Sequence, residues 1–173
     1  MKAHEEHRHK APEKIRIAVF TASSSRYYKR LEGQEVKDES GEKAVEILQQ
    51  QGYEVSYLGV VNDDVNMIRR KIIEAVDAGF DVVIVNGGTG LARRDVTIEA
   101  VKPFLEKEME GFGEILRIES YKKIGAAAAM TRSAAGVYQG RILIALPGSP
   151  DAVTTALNIF GREFPHMVYI ARG

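Results

Sequence analysis

The chain contains no cysteine. Disulfides and thiolate metal sites are therefore excluded, and the composition fits a reducing compartment. Nor does it carry net charge, since 24 lysines and arginines balance 24 aspartates and glutamates. A protein whose main task is to wrap nucleic acid has a basic excess, so no nucleic-acid partner is expected, although a local basic pocket is still allowed. No apolar run is long enough to cross a bilayer. The N-terminus lacks the apolar core of a secretory signal. No membrane partner and a cytoplasmic location are the expectation. What is there is 173 residues, 45% of them hydrophobic, enough for one domain with a real core.

Residues 1–14 are polar and charged, with His4, His7 and His9, and read as a flexible charged tail. Residues 15–173 read as a single domain. Ile15–Phe20 is a strand of the buried type. A long polar loop follows, through Asp38. Ser40 is placed to cap a helix whose inner face is Ala44, Ile47, Leu48 and Gln51, stopped by Gly52. Tyr53–Val61 is the second strand. Asn62 and Asp63 are placed to cap a helix running to Ala78, and Asp81–Asn86 is the third strand. Thr97–Glu110 reads as a helix with Pro103 in its early turns. Glu114–Ser120 reads as extended, and Ile124–Ala135 as an alanine-rich helix closed by Gly136. Arg141–Gly148 is another buried strand, followed by a helix from Ser149 and Asp151 to about Phe160 and a short element over Glu163–Ile170. Apolar strands alternating with helices predict an α/β fold: three layers, α/β/α, around a mostly parallel sheet. Right-handed crossovers put the strand-to-helix loops on one edge, where ligands bind in such folds.

Chemistry concentrates on that edge. Gly87-Gly88-Thr89-Gly90 ends the third strand. Its glycines let backbone N–H groups approach an anion, and Thr89 adds a hydroxyl. An ordinary tight turn would look the same, and neither a Walker loop nor GxGxxG is present. Arg93 and Arg94 follow, of a type suited to phosphate, although surface charge alone would account for one of them. Asp95 is a helix-capping candidate. It is also a candidate Mg²⁺ ligand if a second carboxylate lies nearby, because Mg²⁺ is commonly held by one or two carboxylates plus substrate phosphates. Asp63 and Asp64, after the second strand, supply that second carboxylate. Ser23, Ser24, Ser25 and Arg26 after the first strand, and Gly148 and Ser149 after the late one, bring small groups and helix starts to the same edge. Ser133 could donate to a phosphate or bond its own backbone.

The motifs GGTGLARRDVT (87–97), EMEGFGE (108–114), MTRSAAG (130–136) and LPGSPDAV (146–153), in this order, resemble the MogA/MoaB family of molybdenum cofactor biosynthesis, related to the Cnx and gephyrin G domains, with MoaB the nearer type. The resemblance covers about Ile15 to the C-terminus. It implies a molybdopterin-binding fold and a molybdopterin adenylyltransferase, with molybdopterin as substrate, ATP as co-substrate and Mg²⁺ as the metal. A non-catalytic molybdopterin carrier is the alternative. By the same resemblance Asp63 and Asp95 are the catalytic, Mg²⁺-binding residues. Ser23, Gly87, Gly88, Thr89, Gly90, Ser133, Gly148 and Ser149 contact pterin or phosphate, and Arg94 and Asp64 contact ATP. The family also implies a homotrimer or homohexamer and a downstream metal-insertion enzyme. The chain departs from many relatives in carrying Ser24 and Ser25 after Ser23, with Arg26 displaced.

Overall fold

A mixed sheet of six strands organises the computed structural model, which describes residues 2–12 and 14–173. The strands are β1 (Arg16–Ala22), β2 (Glu54–Val61), β3 (Val82–Asn86), β4 (Lys107–Glu108), β5 (Ala134–Tyr138) and β6 (Arg141–Leu146), in the order β2-β1-β3-β6-β5-β4. β2, β1, β3 and β6 run parallel, and β5 is antiparallel to both β6 and β4. The helices are α1 (Lys2–His9), α2 (Ser24–Leu31), α3 (Glu39–Gln50), α4 (Val65–Asp77), α5 (Thr97–Val101), α6 (Glu110–Ile124), α7 (Pro150–Phe160) and α8 (Phe164–Arg172).

The central strands are apolar on both faces because each face is covered. Ile17, Val19, Ile84, Ile142 and Ile144 point to one side. There they meet Leu48 of α3, Phe112 and Leu116 of α6, Val153 and Phe160 of α7, and Phe164 of α8. Ala18, Phe20, Val83, Val85 and Leu143 point to the other, against Ile68 and Ile72 of α4 and Ile98 and Val101 of α5. Side chains alternate along a strand with period two, so five consecutive apolar residues serve two cores at once. The expected three-layer, mostly parallel α/β arrangement is what is found.

Several local expectations are corrected. The polar stretch after β1 holds a helix, α2, begun by Ser23, whose side chain accepts from the Arg26 N–H. Asp38, not Ser40, caps α3: it is buried, and its carboxylate accepts from the Gly41 N–H at 3.2 Å and from Ser40 Oγ at 3.3 Å. Asp64, not Asn62 or Asp63, caps α4. The helix from Thr97 is a single short turn followed by a 3-10 turn at Lys102–Phe104. Glu114–Ser120, expected to be extended, lies inside α6. There Phe112 and Leu116 are buried at i, i+4 while Ile115 and Ile118 are exposed, and those exposed isoleucines blur the helical stripe. The alanine-rich stretch is a 3-10 turn at Gly125–Met130 and then β5. Its small residues do serve close approach, but between strands: a Cβ on Gly136 would lie 2.3 Å from the Lys107 carbonyl of β4. Within the supposed tail, Lys2–His9 is helical and leans on α8, with the His4 ring 4.6 Å from that of His166 and Arg8 paired with Glu163. Met1 and Glu13, also assigned to that tail, lie outside the described residues.

The chain leaves β1 for β2 on one side and returns to β3 on the other. The carboxyl ends of β1 and β3 therefore flank a topological switch point, where loops diverge and leave a crevice. The ends are level, with Thr21 beside Asn86 and Asn86 beside Leu146.

Candidate functional site

A cleft of about 250 Å³ opens at this switch point. Its walls come from four strand ends: Thr21 and Ala22 ending β1 with Ser23 to Arg26 beyond them, Asp63 after β2, Gly87, Gly88, Arg94 and Asp95 after β3, and Gly148 after β6.

The glycine turn is shaped by its neighbours. Gly87 and Gly88 have φ of 85° and 66°, a region costly for residues with a Cβ. Space forbids a side chain as well. A Cβ on Gly87 would lie 2.6 Å from the Ala22 carbonyl, and one on Gly88 would lie 2.4 Å from Thr97 Oγ1 and 2.8 Å from Asp63 Oδ1. Gly88 carbonyl accepts from the Thr97 N–H at 2.9 Å, tying the turn to the start of α5. Arg132 reaches in from before β5. Its guanidinium donates to the carbonyls of Thr89 at 2.9 Å and Gly90 at 2.8 Å and pairs with Glu99 at 2.6 Å. That hydrogen bond holds the Glu99 carboxyl below its ordinary range. With the carbonyls so engaged, the amides of Gly88, Thr89 and Gly90 donate to no other backbone group among the described residues.

Asp63 sits beneath this turn. Its Oδ2 accepts from both the N–H and the Oγ of Ser24, each at 2.8 Å. Its Oδ1 is buried and has no partner. Asp95 closes the other side of the turn: its Oδ2 accepts from the Ala92 N–H at 3.2 Å, and a Cβ on Gly90 would lie 2.8 Å from that oxygen. The two aspartates therefore line one cleft from different strand ends. Among the described residues no group of three or more His, Cys, Asp or Glu side chains is placed to hold a metal ion, so a cation here would take these two carboxylates and draw its remaining ligands from phosphate and water.

Buried polar atoms without partners gather at the same place. Thr21 Oγ1, both side-chain polar atoms of Asn86, and Thr97 Oγ1 join Asp63 Oδ1 in that state. Each such group costs about 1–3 kcal/mol, and in native proteins they are few. Grouped at one strand edge, they mark a site shaped for a polar ligand.

Of the residues singled out in the sequence, Ser23, Asp63, Gly87, Gly88, Arg94, Asp95 and Gly148 line the cleft. Thr89 and Gly90 lie in the turn behind it, held by Arg132. Asp64 is occupied in capping α4, accepting from the Met67 N–H at 2.8 Å. Ser149 caps α7, accepting from the Ala152 N–H at 3.1 Å. Ser133 stands apart from the cleft lining, its Oγ buried and unpartnered near Gly113 and the Arg117 guanidinium. Thr21, Asn86, Thr97 and Arg132 carried no assigned role from the sequence. Asn86 left a trace as a polar residue ending an otherwise apolar strand, and Thr97 and Arg132 stood inside the motifs at 87–97 and 130–136 without being singled out there; Thr21 left none.

Known proteins share both the sequence and the shape. Residues 18–166 match the family described as a probable molybdopterin binding domain. The chain is 41% identical over 162 residues to a probable molybdopterin adenylyltransferase of Methanocaldococcus jannaschii, covering 92% of this chain and 96% of that one. It is 40% identical over 172 residues to a molybdopterin adenylyltransferase of Pyrococcus furiosus, covering 97% and 98%. In structure it is similar to the tungsten cofactor synthesizing protein MoaB of Pyrococcus furiosus, with a TM-score of 0.83 and 40% identity over 94% of this chain and 100% of that one. It is also similar to MogA, with a TM-score of 0.77 and 27% identity over 90% and 99%. The expected MogA/MoaB-like fold is thus found, and the chain belongs to the molybdopterin-binding family of molybdenum cofactor biosynthesis proteins.

Proposed function

We propose that this chain is a molybdopterin adenylyltransferase acting in molybdenum or tungsten cofactor biosynthesis. A terminal phosphate oxygen of molybdopterin attacks the α-phosphorus of ATP. The new P–O bond forms as the bond between the α-phosphorus and the bridging oxygen breaks, and pyrophosphate leaves with the electron pair. Nothing is oxidised or reduced. The nucleophile is already anionic at neutral pH, so no general base is required. The barrier lies in bringing anions together and in the charge on the leaving group, which positioning and electrostatics address.

The residues of the cleft suit that task. The free amides of the glycine turn and the Arg94 guanidinium would orient phosphate oxygens. Arg132 would keep the turn from relaxing when an anion binds. Asp63 carries the reading: a buried carboxylate oxygen without a partner, lining the same cleft as Asp95, has the chemistry to ligate a hard cation. Asp63 and Asp95 would hold Mg²⁺. That ion, when bound with the substrate phosphates, supplies positive charge where the pyrophosphate departs. A pure pterin carrier has little use for such a pair.

The test is incubation with molybdopterin, ATP and Mg²⁺ while pyrophosphate is followed. Release by the wild type and its loss in Asp95→Ala, with molybdopterin still bound, is the expected result. Binding without release from the wild type would favour the carrier reading instead.

We further place the protein in the cytoplasm and assign it a homotrimer or homohexamer that passes its product to a metal-insertion enzyme. Among the described residues no helix is long and apolar enough to cross a membrane. Ile115, Ile118, Tyr121 and Ile124 on α6, with Met130 beyond it, are exposed, which supports self-association through that helix. Sedimentation at micromolar protein tests it, and a clean monomer would rule it out.

A further inference from the structure

The cleft does not end at Arg26. A second hollow of about 390 Å³ adjoins it and shares Ser25 and Arg26 with it. Its other walls are Lys29 of α2 and residues 34–37, the connection that leads into α3. The lining holds Arg26, Lys29 and Lys37 against a single carboxylate, Glu35. Lys43, Lys71, Lys102, Lys122 and Lys123 each pair with a carboxylate, whereas Lys10, Lys14 and Lys107 lie scattered elsewhere without one among the described residues. Lys29 and Lys37 form no ion pair among the described residues. The nearest buried carboxylate, Asp38, is already engaged by Gly41, Ser40 and Tyr57, the phenol at 2.6 Å. Arg26 is fixed between the two hollows by a bond from its Nε to the Lys37 carbonyl at 3.2 Å. The first turn of α2 has no acidic residue to offset its cations. Arg26 and Lys29 stand at i and i+3 on α2, where like charges repel weakly, and an anion placed between them would relieve that repulsion.

We propose that this hollow, lined by Arg26, Lys29 and Lys37, is the pyrophosphate subsite. It takes the β,γ-diphosphate end of ATP before transfer and the free pyrophosphate after it. The inference rests on the adenylyl-transfer reading, which requires a place for the leaving group. The geometry assigns one: the side of the cleft bounded by α2, away from Gly148. A diphosphate carries several negative charges, more than Arg94 alone can balance, and cations in a concave wall raise its local concentration. The chemistry recognised is a diphosphate, whichever molecule carries it.

The test compares the wild type with Lys29→Ala/Lys37→Ala, and with Lys43→Ala/Lys122→Ala, which removes the same two charges elsewhere, as a control for net charge. Calorimetry with inorganic pyrophosphate and Mg²⁺, without ATP or molybdopterin, reads the subsite directly. We expect the double variant to bind pyrophosphate on the order of tenfold more weakly, with an unchanged melting temperature. In turnover, KM for ATP and the inhibition constant of pyrophosphate rise together while KM for molybdopterin stays put. A rise in KM for molybdopterin instead would give the hollow to the pterin phosphate and overturn the proposal. So would equal pyrophosphate affinity in the two proteins, or none in the wild type. A wild type that binds pyrophosphate through these lysines but releases none from ATP would sink the adenylyl-transfer reading while leaving the diphosphate site standing.

Discussion

The two ends of the central strands are built differently. At the amino edge polar groups are matched. The Asp81 carboxylate accepts from the Arg16 N–H at 2.7 Å and pairs with Arg172, and the Asp81 carbonyl accepts from the Ile142 N–H at 3.0 Å. The Arg16 guanidinium donates to the Ala78 carbonyl at 3.1 Å and lies 4.5 Å from the Phe80 ring centre. Tyr53 donates to the Gly161 carbonyl at 2.6 Å, and burial pushes its phenol up to about 12. Gln51 Oε1 is the one exception there among the described residues. At the carboxyl edge, a strand's length away, Thr21, Asn86, Asp63 and Thr97 hold buried polar atoms with no partner. One edge satisfies its own groups and stabilises the fold. The other leaves them for a ligand, at a cost in stability.

That contrast can be broken from either side. The largest effect belongs to Asp95→Asn, which keeps the shape of the side chain and removes its charge. Turnover should fall by roughly 100-fold or more, with little change in melting temperature; full turnover would remove Asp95 from the chemistry. Gly88→Ala comes next. Its Cβ has no room beside Thr97 and Asp63, and the positive φ adds roughly 1–2 kcal/mol, so phosphate affinity and stability should fall together. Asp81→Ala is the mirror experiment. It strips the amino edge of a satisfied acceptor and should cost about 1–3 kcal/mol in urea denaturation, while turnover per folded molecule is unaltered. Thr21→Val should behave the opposite way, losing activity while stability holds or gains up to about 1 kcal/mol. A marked loss of stability in that variant would show the hydroxyl to be satisfied and would spoil the comparison.

The smallest effect concerns pH. The folded Glu99 carboxyl is held below its ordinary value by Arg132. Its contribution is therefore present above about pH 4.3, the unfolded value, and is lost as pH falls through the lower folded value. The pair is half exposed, so it is worth less than about 1 kcal/mol. Glu99→Gln should flatten the acid limb of the stability curve slightly and loosen the glycine turn.

The strands β1, β3 and β6 were legible because each is a run of apolar residues bounded by turn residues, a pattern that follows from burial on both faces, while β2, a partly buried edge strand, was legible from its valines and Tyr57 between Gly52 and Asn62. The helices α3, α4 and α7 were legible for the same reason at helical spacing. The region between Thr97 and Tyr138 was not. There α6 carries exposed isoleucines on the side away from the core, so its apolar residues follow no single stripe. β5 opens with Ala134, Ala135 and Gly136, which have little strand propensity of their own, and Gly136 fits because β4 passes close by. The same division holds at the site. Gly87, Gly88, Asp63, Arg94 and Asp95 stand out as residue types after strands. Thr97 and Thr21 do not, since a threonine with a satisfied hydroxyl is written the same way as one without.

The sequence by itself determined the layers, the strand ends that would share an edge, and the residue types that would meet an anion there, because these follow from periodicity and from the chemistry of single residues. Only the tertiary structure decided that Asp63 keeps one oxygen free while Asp64 is consumed by a helix cap, that Arg132 grips the glycine turn from behind, and that Lys29 and Lys37 share a hollow with Arg26. Those are relations between residues distant in the chain, fixed by packing and hydrogen bonding across the fold.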